Sequence, residues 1–198
     1  MITYFNRKHD VANMTNHVLT QIDAFVDATL KLAEASQMPL LIPYDREWPS
    51  PCYQKTGEQD AMVPWLPALQ QKSCSFDNVE KALEMVLNEQ YCLYFTHYFS
   101  NNLLARAPQG DCELLQVWNE TDFSRLQENL IGHLLMKKRL KQPPTLFFGL
   151  TDDEDYILSV DNASGEVVLE RVGKEPERSL APDLATFLAE LSPRLGVR

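Results

Sequence analysis

The chain has 198 residues, of which 44% are hydrophobic and 23% are charged, as in ordinary soluble globular proteins. One domain is expected at this length, because domains usually span about 100–200 residues. The formal net charge is −10, from 28 acidic and 18 basic residues, and so acidic a surface repels nucleic acids and anionic lipid head groups. We expect a basic partner; the simpler alternative is that the charge serves solubility.

The cysteines Cys52, Cys74, Cys92 and Cys112 are 18 to 22 residues apart. Zinc ligands usually come in close pairs, so we expect no metal site, and nothing marks the chain as secreted, so we expect four free thiols. No cofactor is expected. The N-terminus does not resemble a secretory signal, and no window approaches the ~18–20 apolar residues of a membrane span. Any membrane association is therefore expected to be peripheral, through a partner.

The first helix is predicted from Asn16 to Ser36, where apolar residues recur at helical spacing. Residues 1–14 are expected to be a flexible extension, and residues 15–198 a single domain. The proline-rich stretch 39–75 lacks periodicity and is predicted to be loop with short strands near 52–54 and 62–66.

A second helix is predicted over 77–90, with Val79 and Val86 on its buried side. Asp77 and Glu80 have the spacing of a capping box. The aromatic-rich stretch 91–99 that follows is compatible with a continued helix or with a strand.

The third helix is predicted over 121–141, with Thr121 as its N-cap and Pro143 and Pro144 ending it. We interpret the basic residues of its last turn as solvated cations that complement the helix dipole. The alternative interpretation is that they contact acidic lipids. The apolar positions predicted to be buried are Phe123, Leu126, Leu130, Leu134 and Leu135, and the basic residues are Lys137, Lys138, Arg139 and Lys141.

The rest of the chain is predicted to be mainly strand, with a closing helix over 180–191. The acidic run 152–155 lacks the spacing of a calcium loop, so we interpret it as a solvated turn. The predicted strands are 103–105, 112–118, 145–150, 156–160 and 166–172. The order of elements predicts an α+β domain, with helices packed on a mainly antiparallel β-sheet and mixed pairing left open.

Two strings in the third helix and just after it, QENLIGHL (127–134) and KKRLKQPPTLF (137–147), closely resemble the signature of the bacterial Syd family. WPSPC (48–52), LQVW (115–118) and SGEV (164–167) are also similar to that family. The resemblance covers roughly residues 20–191. It implies an α+β fold of the SUKH superfamily, which comprises immunity proteins and cell-wall regulators that act by binding.

The resemblance further implies a cytosolic protein that binds SecY on the cytoplasmic side of the bacterial inner membrane and monitors translocon assembly. Binding would use an acidic concave surface and no catalysis, by a chain expected to be monomeric. The expected partner-binding residues are Glu113, Trp118, Glu120, Asp122, Glu128 and Asn129. Trp118, Glu128 and Asn129 lie in the family-like strings, whereas the other three are chosen from their positions at predicted strand and helix ends.

Two other classes of function remain open. The superfamily allows an immunity-type protein that binds a soluble toxin or another basic partner. An enzyme would need His133 and nearby carboxylates, with Asn129 one turn away. The simpler interpretation is that His133 serves packing and that Gly132 lets another element approach closely.

Overall fold

The computed structural model describes residues 3–71 and 74–196, with side chains from residue 17 onward. The helices in this part of the chain are α1 (Thr3–Ala35), α2 (Asp77–Leu83), α3 (Glu89–His97), α4 (Glu120–Leu140) and α5 (Leu184–Ala189). The strands are β1 (Leu41–Pro43), β2 (Met62–Pro64), β3 (Ala68–Leu69), β4 (Tyr98–Phe99), β5 (Leu103–Ala107), β6 (Gly110–Leu114), β7 (Thr145–Thr151), β8 (Tyr156–Asp161), β9 (Val167–Arg171), β10 (Pro176–Ala181) and β11 (Ser192–Pro193).

A seven-stranded sheet forms the frame, in the order β10-β9-β8-β7-β6-β5-β11. Each of its strand pairs is antiparallel, and the strands from β5 to β10 follow one another across the sheet in chain order, including β6 and β7, which α4 connects. Two small two-stranded sheets, β1-β2 and β3-β4, lie outside it. The predicted α+β class with a mainly antiparallel sheet is confirmed. The division at residue 14 stays a prediction.

Helices pack on both faces of the sheet, as two neighbouring residues of β7 show. The ring of Phe148 lies 5.7 Å from Phe187 of α5 and 6.0 Å from Tyr94 of α3, measured between ring centroids. The ring of Phe147 lies 5.5 Å from that of His133 on α4. The main core, with α1, α3 and α5, is therefore on one face, and α4 lies on the other.

Helix α4 forms because its sequence satisfies both the helix interior and the helix ends. Phe123, Leu126, Leu130 and Leu134 recur at helical spacing and are all buried. At the C-terminus, Lys141 adopts the left-handed conformation (φ 57°) and its N–H donates to the carbonyls of Lys137 and Lys138. Leu135 is 50% exposed, so its predicted burial is wrong.

The first two helix predictions need correction. Helix α1 begins at Thr3 and not at Asn16, so residues 3–14 are helical. The predicted helix 77–90 is two helices, because Glu84 adopts the left-handed conformation (φ 52°) and ends α2. Val86 lies in the connection and is 80% exposed. The ambiguous stretch 91–99 continues α3 to His97 and then forms β4.

Two predicted helix caps are also wrong. Asp77 is the first residue of α2 and therefore not its N-cap. Phe76 occupies the N-cap position, and its side chain makes no capping hydrogen bond. The Glu80 carboxylate instead accepts a hydrogen bond from the N–H of Leu87 (2.8 Å), so it holds the connection to α3. The N-cap of α4 is Asn119, not Thr121; its side-chain oxygen accepts from the N–H of Asp122 at 2.8 Å.

Four of the five predicted strands after residue 100 are confirmed to within two residues as β5, β7, β8 and β9. The strand predicted over 112–118 begins at Gly110 and ends at Leu114. The closing helix predicted over 180–191 is shorter, because residues 176–181 pair with β9 as strand β10. Helix α5 starts only after Asp183, whose carboxylate accepts from the N–H of Thr186 (2.7 Å).

Candidate partner-binding surface

The start of α4 is joined to the loop 48–52, which lies about seventy residues earlier in the chain. The Asn119 side-chain amide donates to the carbonyl of Pro49 at 2.7 Å. The Ser50 hydroxyl donates to the carbonyl of Trp118 at 2.6 Å. The Arg125 guanidinium lies 4.1 Å from the ring centroid of Trp48. Two of the family-like strings therefore meet at this end of the helix.

Trp118 and Asp122 are used by the fold itself. The Trp118 side chain is buried, with the rings of Tyr53 and Trp65 edge-on to it at 5.0 and 6.0 Å. The backbone N–H of Trp118 donates to the Asp122 carboxylate at 2.8 Å. Trp118 leaves almost no surface for a partner, and Asp122 helps to fix the entry into α4. Their part in any binding is to shape the surface.

Glu120, Glu128 and Asn129 lie exposed on α4. Glu120 and Glu128 are eight residues apart and share one side of the helix. In the described part of the chain, no Lys, Arg or His lies within ion-pair distance of either carboxylate. Asn129 is offset around the helix from Glu128, with Arg125 one turn before it. These three side chains are free to meet a partner.

The side of α4 that carries Glu120 and Glu128 faces α2. The Gln127 amide donates to the carbonyl of Ser75 (2.7 Å), just before α2 begins. Further along, residues 82–83 of α2 and 134–135 of α4 line one cavity of about 360 Å³. The two helices therefore run side by side in the same direction. We call three exposed carboxylates the acidic α2–α4 surface: Asp77 at the start of α2, Glu120 at the start of α4, and Glu128 about two turns further along α4.

The sequence pattern assigns Asp77 to a capping box and therefore does not predict its place on this surface. The spacing of Asp77 and Glu80 fits a capping box, and sequence alone cannot tell an N-cap from the first helical residue. A signal was nevertheless present, since acidic residues at a helix start favour the positive end of the dipole and remain exposed there.

Glu113 lies apart from the acidic α2–α4 surface. It points from β6 into a recess of about 360 Å³ whose lining residues include none of α4. The Asn102 amide donates to its carboxylate at 2.7 Å. Leu104 and Leu150 are its partners on the neighbouring strands and share its face of the sheet. The structure therefore does not bring all six predicted residues into one groove.

A buried polar cluster joins the other half of α4 to the sheet. Lys137, 1% exposed, forms an ion pair with Glu170 of β9, which is fully buried. The Glu170 carboxylate also accepts from the hydroxyls of Thr145 and Ser159, each at 2.7 Å. Lys137 is thus not a solvated dipole partner as predicted from its basic run. Its charge is neutralised within the fold.

His133 belongs to the same cluster. It is 9% exposed, and its Nε2 lies 3.1 Å from the Thr145 hydroxyl and 3.8 Å from Glu170. Burial lowers the pKa of His133 from its ordinary value, with Glu170 opposing and Lys137 adding to that shift. These contacts support the packing interpretation of His133. The expectation for Gly132 is wrong, since a Cβ added there would meet no atom within 4 Å.

The remaining candidates for chemistry are structural or solvated. Residues 152–155 form an exposed turn in which the Asp153 carboxylate accepts from the N–H of Asp155 (3.0 Å). The four cysteines are free thiols, as predicted. Burial raises the pKa of Cys52 and Cys112 to about 11 and that of Cys92 to about 12, which disfavours the nucleophilic thiolate.

Among the helices described, none is both long enough and apolar enough to cross a membrane.

The family model for "Syd protein (SUKH-2)" matches residues 16–193. The chain is 56% identical over 176 residues to Protein Syd of Alteromonas mediterranea, covering 89% of this chain and 96% of that protein.

Two further relatives are similar over nearly their whole lengths. Protein Syd of Pseudoalteromonas atlantica is 43% identical over 182 residues, covering 91% of this chain and 98% of that protein. Protein Syd of Colwellia psychrerythraea is 40% identical over 190 residues, with coverages of 90% and 94%. The two joined strings at the start of α4 and the match over residues 16–193 lead to one conclusion: this chain belongs to the Syd family.

Proposed function

We propose that this protein binds the cytoplasmic face of the SecY translocon channel, from the cytoplasmic side of the bacterial inner membrane. It does so as a non-enzymatic monomer that monitors or regulates translocon assembly. Family membership supports the choice of partner, because the Syd resemblance implies SecY binding. The acidic α2–α4 surface supports the mode of binding.

The observation that carries the proposal is the state of Glu120 and Glu128. Both carboxylates are exposed on α4, beside family-like strings, and neither is neutralised by a cation in the described part of the chain. Cytoplasmic loops of membrane proteins carry excess Lys and Arg. Unneutralised carboxylates attract such loops and suppress binding of acidic competitors.

The six predicted residues take different parts in this proposal. Glu120 and Glu128 contact basic side chains of the channel directly, and Asn129 adds a hydrogen bond at the edge of the contact. Trp118 and Asp122 hold the start of α4 in shape. Glu113 offers a second, separate carboxylate in the recess on the sheet.

Charge reversal on α4 tests the proposal. Glu120→Lys and Glu128→Lys are each compared with the wild-type chain for binding to purified SecY complex in detergent at low salt. Each reversal should weaken binding by roughly 5- to 50-fold, because like charges then face each other across the contact. Both variants should fold, since both side chains are exposed and a reversed charge in the first turn of α4 costs only about 1 kcal/mol.

Glu190→Lys is the matched control. Glu190 is exposed at the end of α5, on the opposite face of the sheet, and its reversal changes the net charge by the same amount. Equal losses for all three variants would show that only net charge matters, and the acidic α2–α4 surface would be ruled out. No binding by the wild-type chain would favour the alternative of a soluble toxin or another basic partner.

A further inference from the structure

The C-terminal end of α4 differs in character from the rest of this acidic molecule. Cations and aliphatic side chains are both exposed there, on the last two turns of α4 and on the turn between β9 and β10. We call this set the α4 C-terminal patch; its cations are Lys138, Arg139, Lys141 and Lys174, and its aliphatic residues are Leu135, Leu140 and Val172.

The two halves of the patch are fixed to each other by hydrogen bonds. The Lys137 ammonium donates to the carbonyl of Lys174 at 2.7 Å, and the Gln142 amide donates to that of Gly173 at 3.1 Å. A Cβ added at Gly173 would lie 4.0 Å from a methyl group of Leu140, so the turn packs closely on the helix. The patch is therefore a preformed surface.

The local charge is opposite in sign to that of the molecule. Glu84 lines the same cavity as Lys138, and Glu175 follows Lys174 in the chain; counting these two exposed acids with the four cations leaves the patch at +2. The other residues, 14 basic and 26 acidic, carry −12. Charges more than ~8 Å apart are screened at physiological salt, whereas a chain of this length has a radius of gyration of about 16 Å. An anionic surface touching the patch therefore interacts mainly with its cations.

The aliphatic residues indicate which kind of anionic surface fits. Leu135, Leu140 and Val172 are 50%, 44% and 60% exposed. Exposed aliphatic side chains add little to the binding of nucleic acid phosphates, but they gain free energy at the boundary between lipid head groups and acyl chains. Beside Leu135 lies the cavity of about 360 Å³ between α2 and α4, which adds further apolar surface.

We propose that the α4 C-terminal patch docks directly on the surface of a bilayer containing anionic phospholipids. Lys138, Arg139, Lys141 and Lys174 contact the head groups, and Leu140 and Val172 enter the boundary region. This contact is separate from the acidic α2–α4 surface at the other end of α4. The inference does not depend on the identity of the protein partner.

Vesicle flotation tests the inference with the intact chain. Vesicles made of equal parts phosphatidylglycerol and phosphatidylcholine should carry the wild-type protein at low salt, and vesicles of phosphatidylcholine alone should not. The double variant Lys138→Glu/Arg139→Glu should reduce partitioning by roughly tenfold or more, because each Lys or Arg near an anionic leaflet adds to the free energy of membrane binding. Leu140→Ser should also weaken partitioning, since it removes apolar area.

The control is Arg46→Glu/Lys55→Glu, which changes the net charge equally at exposed positions in the loop before β2. It should float as the wild-type protein does. Failure of the wild-type protein to bind anionic vesicles, or an equal loss in the control, would overturn the inference. The inference would also be overturned if the protein bound duplex DNA as tightly as anionic vesicles and if Leu140→Ser did not weaken the binding to DNA.

Binding to detergent-solubilised SecY complex should be unchanged by Lys138→Glu/Arg139→Glu, which separates this inference from the proposed function.

Discussion

His133 shows how a single buried side chain couples stability to pH. It lies within 3.1 Å of the Thr145 hydroxyl and near both charges of the Lys137–Glu170 pair. Burial favours the neutral imidazole and lowers its pKa below the ordinary value of 6.5. The unfolded chain, in contrast, takes up this proton at about pH 6.5.

The free energy of unfolding should therefore fall as the pH drops below about 6.5, because the unfolded state then binds more protons than the folded state at this position. The loss should continue until the lower pKa of the folded state is passed. Urea unfolding between about pH 5 and pH 8 measures this loss of stability. His133→Gln should make the free energy of unfolding depend less steeply on pH. His17→Gln, at an exposed position, is the control. A wild-type slope that His133→Gln leaves unchanged would contradict this role.

At the scale of elements, the buried ion pair attaches α4 to the sheet. Glu170→Leu leaves the Lys137 ammonium buried without its anion and deprives two hydroxyls of their acceptor. The free energy of unfolding should fall by about 3–5 kcal/mol. Lys137→Met/Glu170→Leu should be less destabilising than Glu170→Leu alone, since it removes both charges together.

Urea unfolding followed by tryptophan fluorescence compares these variants. The comparison between the double and single variants decides the interpretation, because large apolar side chains replace charged ones in both. A double variant that loses more stability than Glu170→Leu would show that the charges do not compensate each other, and the attachment of α4 would have to come from its apolar residues.

Sequence periodicity predicted α4 well because one stripe of apolar residues, from Phe123 to Leu134, decides which side is buried. It could not separate Lys137 from Lys138. Both stand in one basic run, and the difference depends on Glu170, which lies 33 residues further along the chain. Nothing in β9 marks that glutamate as buried, since strands commonly alternate apolar and polar residues.

The candidate site was predictable to the same extent. Exposure of Glu128 follows from its position opposite the apolar stripe of α4, and exposure of Glu120 follows from its place in the first turn. The separation of Glu113 could not be foreseen, because it depends on how the segment around β1 and β2 packs beside the sheet. Trp118 is among the expected partner-binding residues, but Tyr53 and Trp65, from the loop-rich first third of the chain, cover it.

Over the whole molecule, charge is arranged along α4. Acids occupy the N-terminal ends of α2 and α4, and the exposed cations of the α4 C-terminal patch occupy the other end. Both placements complement the helix dipoles. If the acidic end meets basic loops of the channel and the basic end meets the bilayer, as we propose, the two contacts orient the protein together.

The dependence of SecY affinity on salt is the sharpest test of the proposed mode of binding. Affinity of the wild-type chain for detergent-solubilised SecY complex is measured from about 0.05 to about 0.5 M salt, over which the Debye length falls from roughly 14 to roughly 4 Å. We predict micromolar or tighter binding at the lowest salt that weakens steadily as salt rises. Binding that is independent of salt, or absent at the lowest salt, would contradict an electrostatic contact between the acidic α2–α4 surface and the channel.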